Sequence, residues 1–220
     1  MFIGHFAVAL AAKRTSPRVS LGTLFFAVQF LDLLWPVLVL AGIEHFRIEP
    51  GNTAVTPLDF YDYPFSHSLL TTAVWSILIG ILYWFIRKSA KDSFILALCV
   101  SSHWILDFIT HRPDLPLMPE STVLLGLGLW NSSILSVAIE CLFFVAGSII
   151  YIRSTRPISK SGSVALWCLL AFLLVIYLLN IFGPPPPSIG MVSVSANALW
   201  IFILWGYWVD KNRHAVSRTE

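Results

Sequence analysis

Twelve of the fourteen lysines and arginines fall into four clusters, and the clusters occupy alternate gaps between long apolar runs. The runs cover approximately 20–43, 66–86, 93–111, 131–152, 163–182 and 192–209. Each is long enough, or nearly so, for the roughly 20 residues a helix needs to cross a bilayer. With residues 13–19 placed in the cytoplasm, the clusters Lys13/Arg14/Arg18, Arg87/Lys88/Lys91, Arg153/Arg156/Lys160 and Lys211/Arg213/Arg218 all fall on that side. Only Arg47 and Arg112 fall outside, among Glu44, Glu49, Asp59, Asp62, Asp114 and Glu120. Such a bias sets orientation through the positive-inside rule. The expected fold is therefore all-α: a polytopic membrane protein of six transmembrane helices with both ends cytoplasmic. A seventh run, 1–12, is too short to span and is expected to form a short N-terminal re-entrant or interfacial helix, ended by Lys13-Arg14 and Ser16-Pro17.

Composition agrees: 57% of residues are hydrophobic and 12% charged, about half the charged share of a soluble domain. The formal net charge of +2 gives no reason to expect a nucleic-acid partner. Cys99, Cys141 and Cys168 lie in apolar runs without a Cys-x-x-Cys pair, which argues against a disulfide framework or a cysteine zinc site and favours small core residues. No cleavable signal peptide is expected, because the first basic cluster follows the first apolar run. With no internal repeat and no soluble segment, residues 1–220 read as one transmembrane domain. Two long outer loops stand out. Residues 44–65 mix acids with aromatics and suit a lid or interfacial anchor, and 112–130 ends in the Gly-interrupted apolar stretch Val123 to Trp130, expected to dip beside the helix that follows.

The apolar runs are not clean. His103 and Asp107 are four residues apart with His111 four further on, a spacing that puts them on one helix face. Asp32 and Glu140 interrupt two other runs, while His67 opens a third and His5 sits in the short first helix. At about 1.5 Å per residue, His103 and Glu140 lie roughly 14 Å from the outer ends of their spans, Asp32 roughly 17 Å and Asp107 roughly 8 Å. Four helices thus send acids or imidazoles into the outer half of the bilayer, where leaving each unpaired is costly. Mixed histidine and carboxylate ligands suit a divalent metal ion, zinc first, with manganese or iron as alternatives. Such an ion activates water, so hydrolysis of an ester or phosphoester is the expected chemistry, with Glu140 or Asp62 as the carboxylate free to move protons. The competing reading of His103 and Asp107 is a hydrogen-bonded pair that locks two helices. His111 and Asp114 fit a helix end with a charge-assisted cap, and His45 is expected to be solvated.

Gly4-His5, an acid in the next helix, Phe65-Ser66-His67-Ser68-Leu69-Leu70 and Ser102-His103-Trp104-Ile105-Leu106-Asp107-Phe108-Ile109-Thr110 together resemble the bacterial inner-membrane metal-dependent hydrolases, the YdjM-like group. That group shows a Thr-His-Ser-Leu element followed by a His-x-x-x-Asp-x-x-Thr helix, matched here by Ser66 to Leu69 and by His103, Asp107 and Thr110. Its acidic position, more often Pro-Asp-x-Asp, is the single Asp32 in Phe30-Leu31-Asp32-Leu33. The resemblance covers a motif-bearing half, 1–115; the additional helices over 131–209 carry none of its motifs. It implies a bacterial plasma-membrane, multi-pass location, metal binding and, by analogy with zinc-dependent phospholipases, a lipid-like substrate.

The expectation is a metal site of His67, His103 and Asp107 with Asp32 and His5 as further ligands, acting on a membrane lipid or lipid-linked ester or phosphoester from the outer leaflet. The main alternative is a proton- or metal-ion-coupled transporter using the same cluster, which should show polar residues continuing to the other face; the inner halves, Trp75 to Phe85 and Phe94 to Val100, are instead mostly apolar. A b-type haem protein leaves the carboxylates unexplained, as does a structural scaffold.

Overall fold

The computed structural model describes residues 1–216, so Arg218 of the last basic cluster lies outside the described residues. The chain is helical with short hairpins at its loops. Helix α1 (Ile3–Ala12) is followed by α2 (Leu21–Val28) and α3 (Phe30–Leu40), then strands β1 (His45–Ile48) and β2 (Leu58–Asp62). A single turn, α4 (Pro64–His67), leads into α5 (Leu69–Arg87) and α6 (Ala90–Thr110). After β3 (Leu115–Pro116) and β4 (Leu124–Leu125) come α7 (Ser133–Ser154), β5 (Thr155–Pro157), α8 (Lys160–Phe182), α9 (Ile189–Ala196), α10 (Leu199–Lys211) and β6 (Arg213–Ala215).

Helices α5, α6, α7, α8 and the run Ile189–Lys211 are each long and apolar enough to cross a membrane, and α2 with α3 makes a sixth span bent by 56°. These spans match the six apolar runs to within three residues at every end. Their outward faces are apolar, as lipid requires: Leu70, Val74, Ile77, Leu78, Ile81, Leu82 and Phe85 of α5 are all exposed. Cys168 on α8 is exposed on such a face, so it is not the core residue expected; only Cys99 is buried.

The ten-residue α1 is packed inside the bundle, with Ile3, His5, Phe6, Ala9 and Leu10 all buried. Its approach to α7 depends on one glycine. A Cβ at Gly147 of α7 would come within 2.4 Å of the Ala7 carbonyl oxygen, so only glycine permits this approach of α1 to α7. The same holds between α2 and α10, where a Cβ on Gly22 would fall 2.3 Å from the Tyr207 ring.

The loops sort to two ends, as the charge alternation requires. At one end Lys13, buried, pairs with Asp210 at 2.7 Å and donates to the Val19 carbonyl at 2.8 Å. There β5 pairs with β6, joining the α7–α8 loop to the segment after α10. At the other end the two long loops form hairpins, β1 with β2 and β3 with β4, both antiparallel. The first is tied down by aromatic packing, Trp35 of α3 lying 5.0 Å from Phe46 and 5.4 Å from Phe60 between ring centroids. It is also tied by charge: buried Asp59 accepts from Arg47 Nε at 2.6 Å and from Arg112. The second loop folds back on the end of α6. Leu127 N–H donates to the Phe108 carbonyl and Gly128 N–H to the His111 carbonyl, with Gly128 at φ +73° where glycine is the favoured residue. The Ala54 N–H donates to the Trp130 carbonyl, which joins the two loops.

Candidate metal centre

The α2–α3 break sets up the site. Gln29 interrupts the helix at φ −102°, ψ 6°, and seven residues later Pro36 removes the N–H that the Asp32 carbonyl would have met. A continuous helix would aim the Val28 carbonyl at the Asp32 N–H; here that carbonyl accepts from His103 Nδ1 at 2.6 Å. One broken span therefore supplies both an anchor for His103 and the carboxylate of Asp32.

Around His103 the structure gathers all five residues singled out as ligands. His103 Nε2 lies 3.0 Å from Asp107 Oδ2 and 3.6 Å from Asp32 Oδ1. His67 Nε2 lies 3.6 Å from Asp32 Oδ1 and 3.8 Å from Asp107 Oδ2. His5 Nε2 lies 3.1 Å from the other Asp107 oxygen, Oδ1, and its ring stacks on that of His103 at 3.7 Å and 3°. Two triads result, Asp32/His67/His103 and His5/His103/Asp107, each with donor atoms within 4.8 Å of one another. The four separations from His67 and His103 to the Asp32 and Asp107 oxygens run from 3.0 to 3.8 Å, bracketing the ~3.3 Å edge of a tetrahedron with zinc-like bonds of about 2.0–2.1 Å. The Met1 amino group also contacts Asp107, and lies 3.2 Å from Thr110 Oγ1.

Proton bookkeeping at His103 tests whether these residues fit a cation. A carbonyl only accepts, so His103 Nδ1 carries the hydrogen that meets Val28, and in the neutral ring Nε2 presents a lone pair. Two carboxylate oxygens stand beside that nitrogen, and Nε2 has no hydrogen-bond partner although it is buried. Lone pair against carboxylate is repulsive unless something positive lies between them. The donor set fits a divalent ion.

His67 is held on its other side. Its Nδ1 is 2.7 Å from Ser66 Oγ, which donates to Glu44 Oε2 at 2.6 Å, while Glu44 Oε1 accepts the Phe65 and Ser66 backbone N–H groups at 2.8 and 2.7 Å. Trp104 Nε1 donates to the His67 carbonyl at 3.0 Å. Neither Glu44 nor Ser66 figured among the expected site residues. Ser66 had a signal, a hydroxyl directly before the histidine; Glu44, 22 residues upstream in an acidic loop, had none.

The two carboxylates expected to move protons are placed differently. Glu140 Oε2 accepts the backbone N–H groups of Phe2 and Gly4 at 2.8 and 3.3 Å. It caps the start of α1, because the first N–H groups of a helix have no partner of their own and an acidic side chain suits that end. Asp62 is exposed on β2 and pairs with His45 Nδ1 at 2.8 Å, away from the gathered residues. Neither carboxylate is among the residues gathered around His103. One oxygen of Glu140 holds backbone donors that sequence does not reveal, and Asp62 is exposed on the hairpin. His111 and Asp114 form the expected helix end: His111 Nδ1 and the Tyr63 hydroxyl both meet Asp114 Oδ1 at 2.9 Å. Burial, with Asp114 beside it, pushes the Tyr63 phenol well above its ordinary value, so it remains a donor.

Access is uneven. The side chains of His5, His67, His103 and Asp107 are at most 5% exposed, whereas Asp32 is 29% exposed, so the cluster opens beside α3. No protein-family model, curated protein or solved structure matches this chain.

Proposed function

We propose that this protein is a membrane-embedded, metal-dependent hydrolase of the bacterial plasma membrane whose ion, zinc in the first instance, is held by Asp32, His67, His103 and Asp107. The observation that carries the reading is the buried Nε2 of His103, which has no hydrogen-bond partner while two carboxylate oxygens stand at 3.0 and 3.6 Å. An imidazole nitrogen has one lone pair and serves one ion, so both triads point to a single centre through His103. Within it His5 is a hydrogen-bond partner of Asp107 Oδ1, turning Oδ2 toward His103. Bound there, the ion supplies Lewis acidity toward water and toward an ester or phosphoester group.

The chain's own residues do the rest. Burial of four of the five side chains keeps bulk water out, and the exposed edge of Asp32 gives a substrate its approach. That edge lies on a helix whose next turns expose Val37 and Leu40, apolar residues suited to a lipid neighbour, which supports a lipid or lipid-linked ester or phosphoester as substrate. A transporter would need the polar path to continue toward Lys13 and Asp210. Along α1 the residues between His5 and Lys13 are apolar, with Phe6, Ala9 and Leu10 fully buried, which favours the hydrolase.

The test is elemental analysis of detergent-purified protein, wild type beside His103→Ala/Asp107→Ala, followed by turnover assays on lipid phosphoesters and esters. Near-stoichiometric metal lost in a folded double variant, with turnover that depends on it, is expected. A wild type that holds no metal after reconstitution with zinc, manganese or iron would overturn the reading.

A further inference from the structure

We infer that Glu44 and Ser66 are positioning residues that fix the proton of His67, and that Glu44 decides which way the hydrogen bonds between them run. The inference rests on the metal reading above for its consequence but not for its geometry.

A serine hydroxyl has one proton to give and two lone pairs to offer. Three donors converge on Glu44: two backbone N–H groups on Oε1 and the Ser66 hydroxyl on Oε2, at 2.8, 2.7 and 2.6 Å. With its proton turned to Glu44, Ser66 Oγ can only accept from His67 Nδ1, 2.7 Å away. His67 is then the Nδ1–H tautomer, with the Nε2 lone pair turned to the side where Asp32 and Asp107 stand. His103 reaches the same state through the Val28 carbonyl. Glu44 and Ser66 are fully buried, so no water competes for these bonds. Glu44 also begins the loop that carries the β1–β2 hairpin, so the hairpin and His67 share one anchor.

The decisive variant is Glu44→Gln. The amide oxygen can keep both backbone N–H groups, which places the NH2 where Oε2 stood. That group donates to Ser66 Oγ, the Ser66 proton turns to His67 Nδ1, and the imidazole carries its hydrogen on Nε2 instead. The shape is conserved and the lone pair needed by the ion is gone. Glu44→Gln should therefore weaken zinc binding about 10- to 100-fold, the usual effect of losing a partner behind a ligand histidine. Ser66→Ala, which releases the ring without forcing it, should weaken binding less, and Ser66→Thr should restore it.

Two measurements on the full chain in detergent decide the matter: zinc affinity by chelator competition, and the tautomer of His67 from 15N chemical shifts of metal-free, histidine-labelled protein, assigned by difference from His67→Ala. The expected result is an Nδ1–H wild type, an Nε2–H Glu44→Gln variant and the affinity order wild type, Ser66→Thr, Ser66→Ala, Glu44→Gln. An unchanged tautomer with wild-type zinc affinity in Glu44→Gln would overturn the inference. If that variant does not fold, equal affinities of Ser66→Ala and wild type would overturn it equally. Because the tautomer is read without metal, a wild type that binds no zinc would remove the metal reading alone and leave the swap to decide this one.

Discussion

His103 Nε2 and Asp107 Oδ2 stand 3.0 Å apart, and the ring's other nitrogen already holds its hydrogen against the Val28 carbonyl. One turn of helix would make this an ordinary ion pair if the histidine were doubly protonated, but the contact lacks hydrogen-bond alignment and leaves Nε2 without a partner. On the metal reading proposed above, this nitrogen is a ligand.

Asp107→Asn separates these possibilities. The amide keeps the shape of the carboxylate but gives up the charge that pairs with the Met1 amino group, so the metal-free variant should unfold at a lower temperature than metal-free wild type. It should also lose the stabilisation that zinc gives the wild type, about 2.7 kcal/mol at a hundredfold excess over Kd. Thermal unfolding with and without zinc reads both; a variant still stabilised by zinc would contradict the assignment of Asp107.

Glu140 is expected to act through α1 and not through proton transfer. One of its oxygens takes both backbone N–H groups, so Glu140→Gln can keep them and should retain turnover and metal. Glu140→Ala leaves one buried and one half-buried donor unpaired and should cost about 2 kcal/mol of stability. Loss of turnover in a folded, metal-loaded Glu140→Gln protein would return this carboxylate to the chemistry.

Asp62→Asn should change little. Its pair with His45 is 43% and 47% exposed, and exposed pairs of this kind contribute at most ~1 kcal/mol before screening by salt and solvent reduces it. Zinc affinity equal to wild type is the expected readout, and a tenfold loss would place the hairpin's outer face in the site after all.

Arg112→Met should loosen the hairpin more than Arg47→Met. Asp59 is 1% exposed and depends on both cations, but Arg112 is 36% exposed and Arg47 64%, so the first is the more desolvated partner. A buried carboxylate robbed of its better-shielded partner is the costly case. Hydrogen exchange across 49–57 should rise further in Arg112→Met; the reverse order would refute the ranking.

The spans were legible because bilayer thickness imposes a length and the basic clusters mark alternate gaps, two signals that do not depend on contacts. The five gathered residues were legible for a related reason: polar groups in apolar runs must find partners, and they lay at compatible depths. What escaped was whatever depended on long-range backbone geometry. The break at Gln29 carries neither proline nor glycine, the usual marks of an interruption, with Pro36 seven residues away. Glu140 looked unattached because its partners are N–H groups of a helix end, which any residue type supplies. Strands of two to five residues have too little alternation to announce the hairpins.

The grip of α7 on α1 has a consequence for biogenesis. Every candidate ligand lies before residue 108, yet His5 is oriented by a helix that Glu140 and the close approach at Gly147 hold in place. A nascent chain that has released only its first half into the bilayer would carry the full set of donor atoms with α1 held by α2 and α6 alone. The final setting of His5 behind Asp107 would then follow the arrival of α7, making the later half of the chain a brace for a site whose donor atoms all lie in the earlier one.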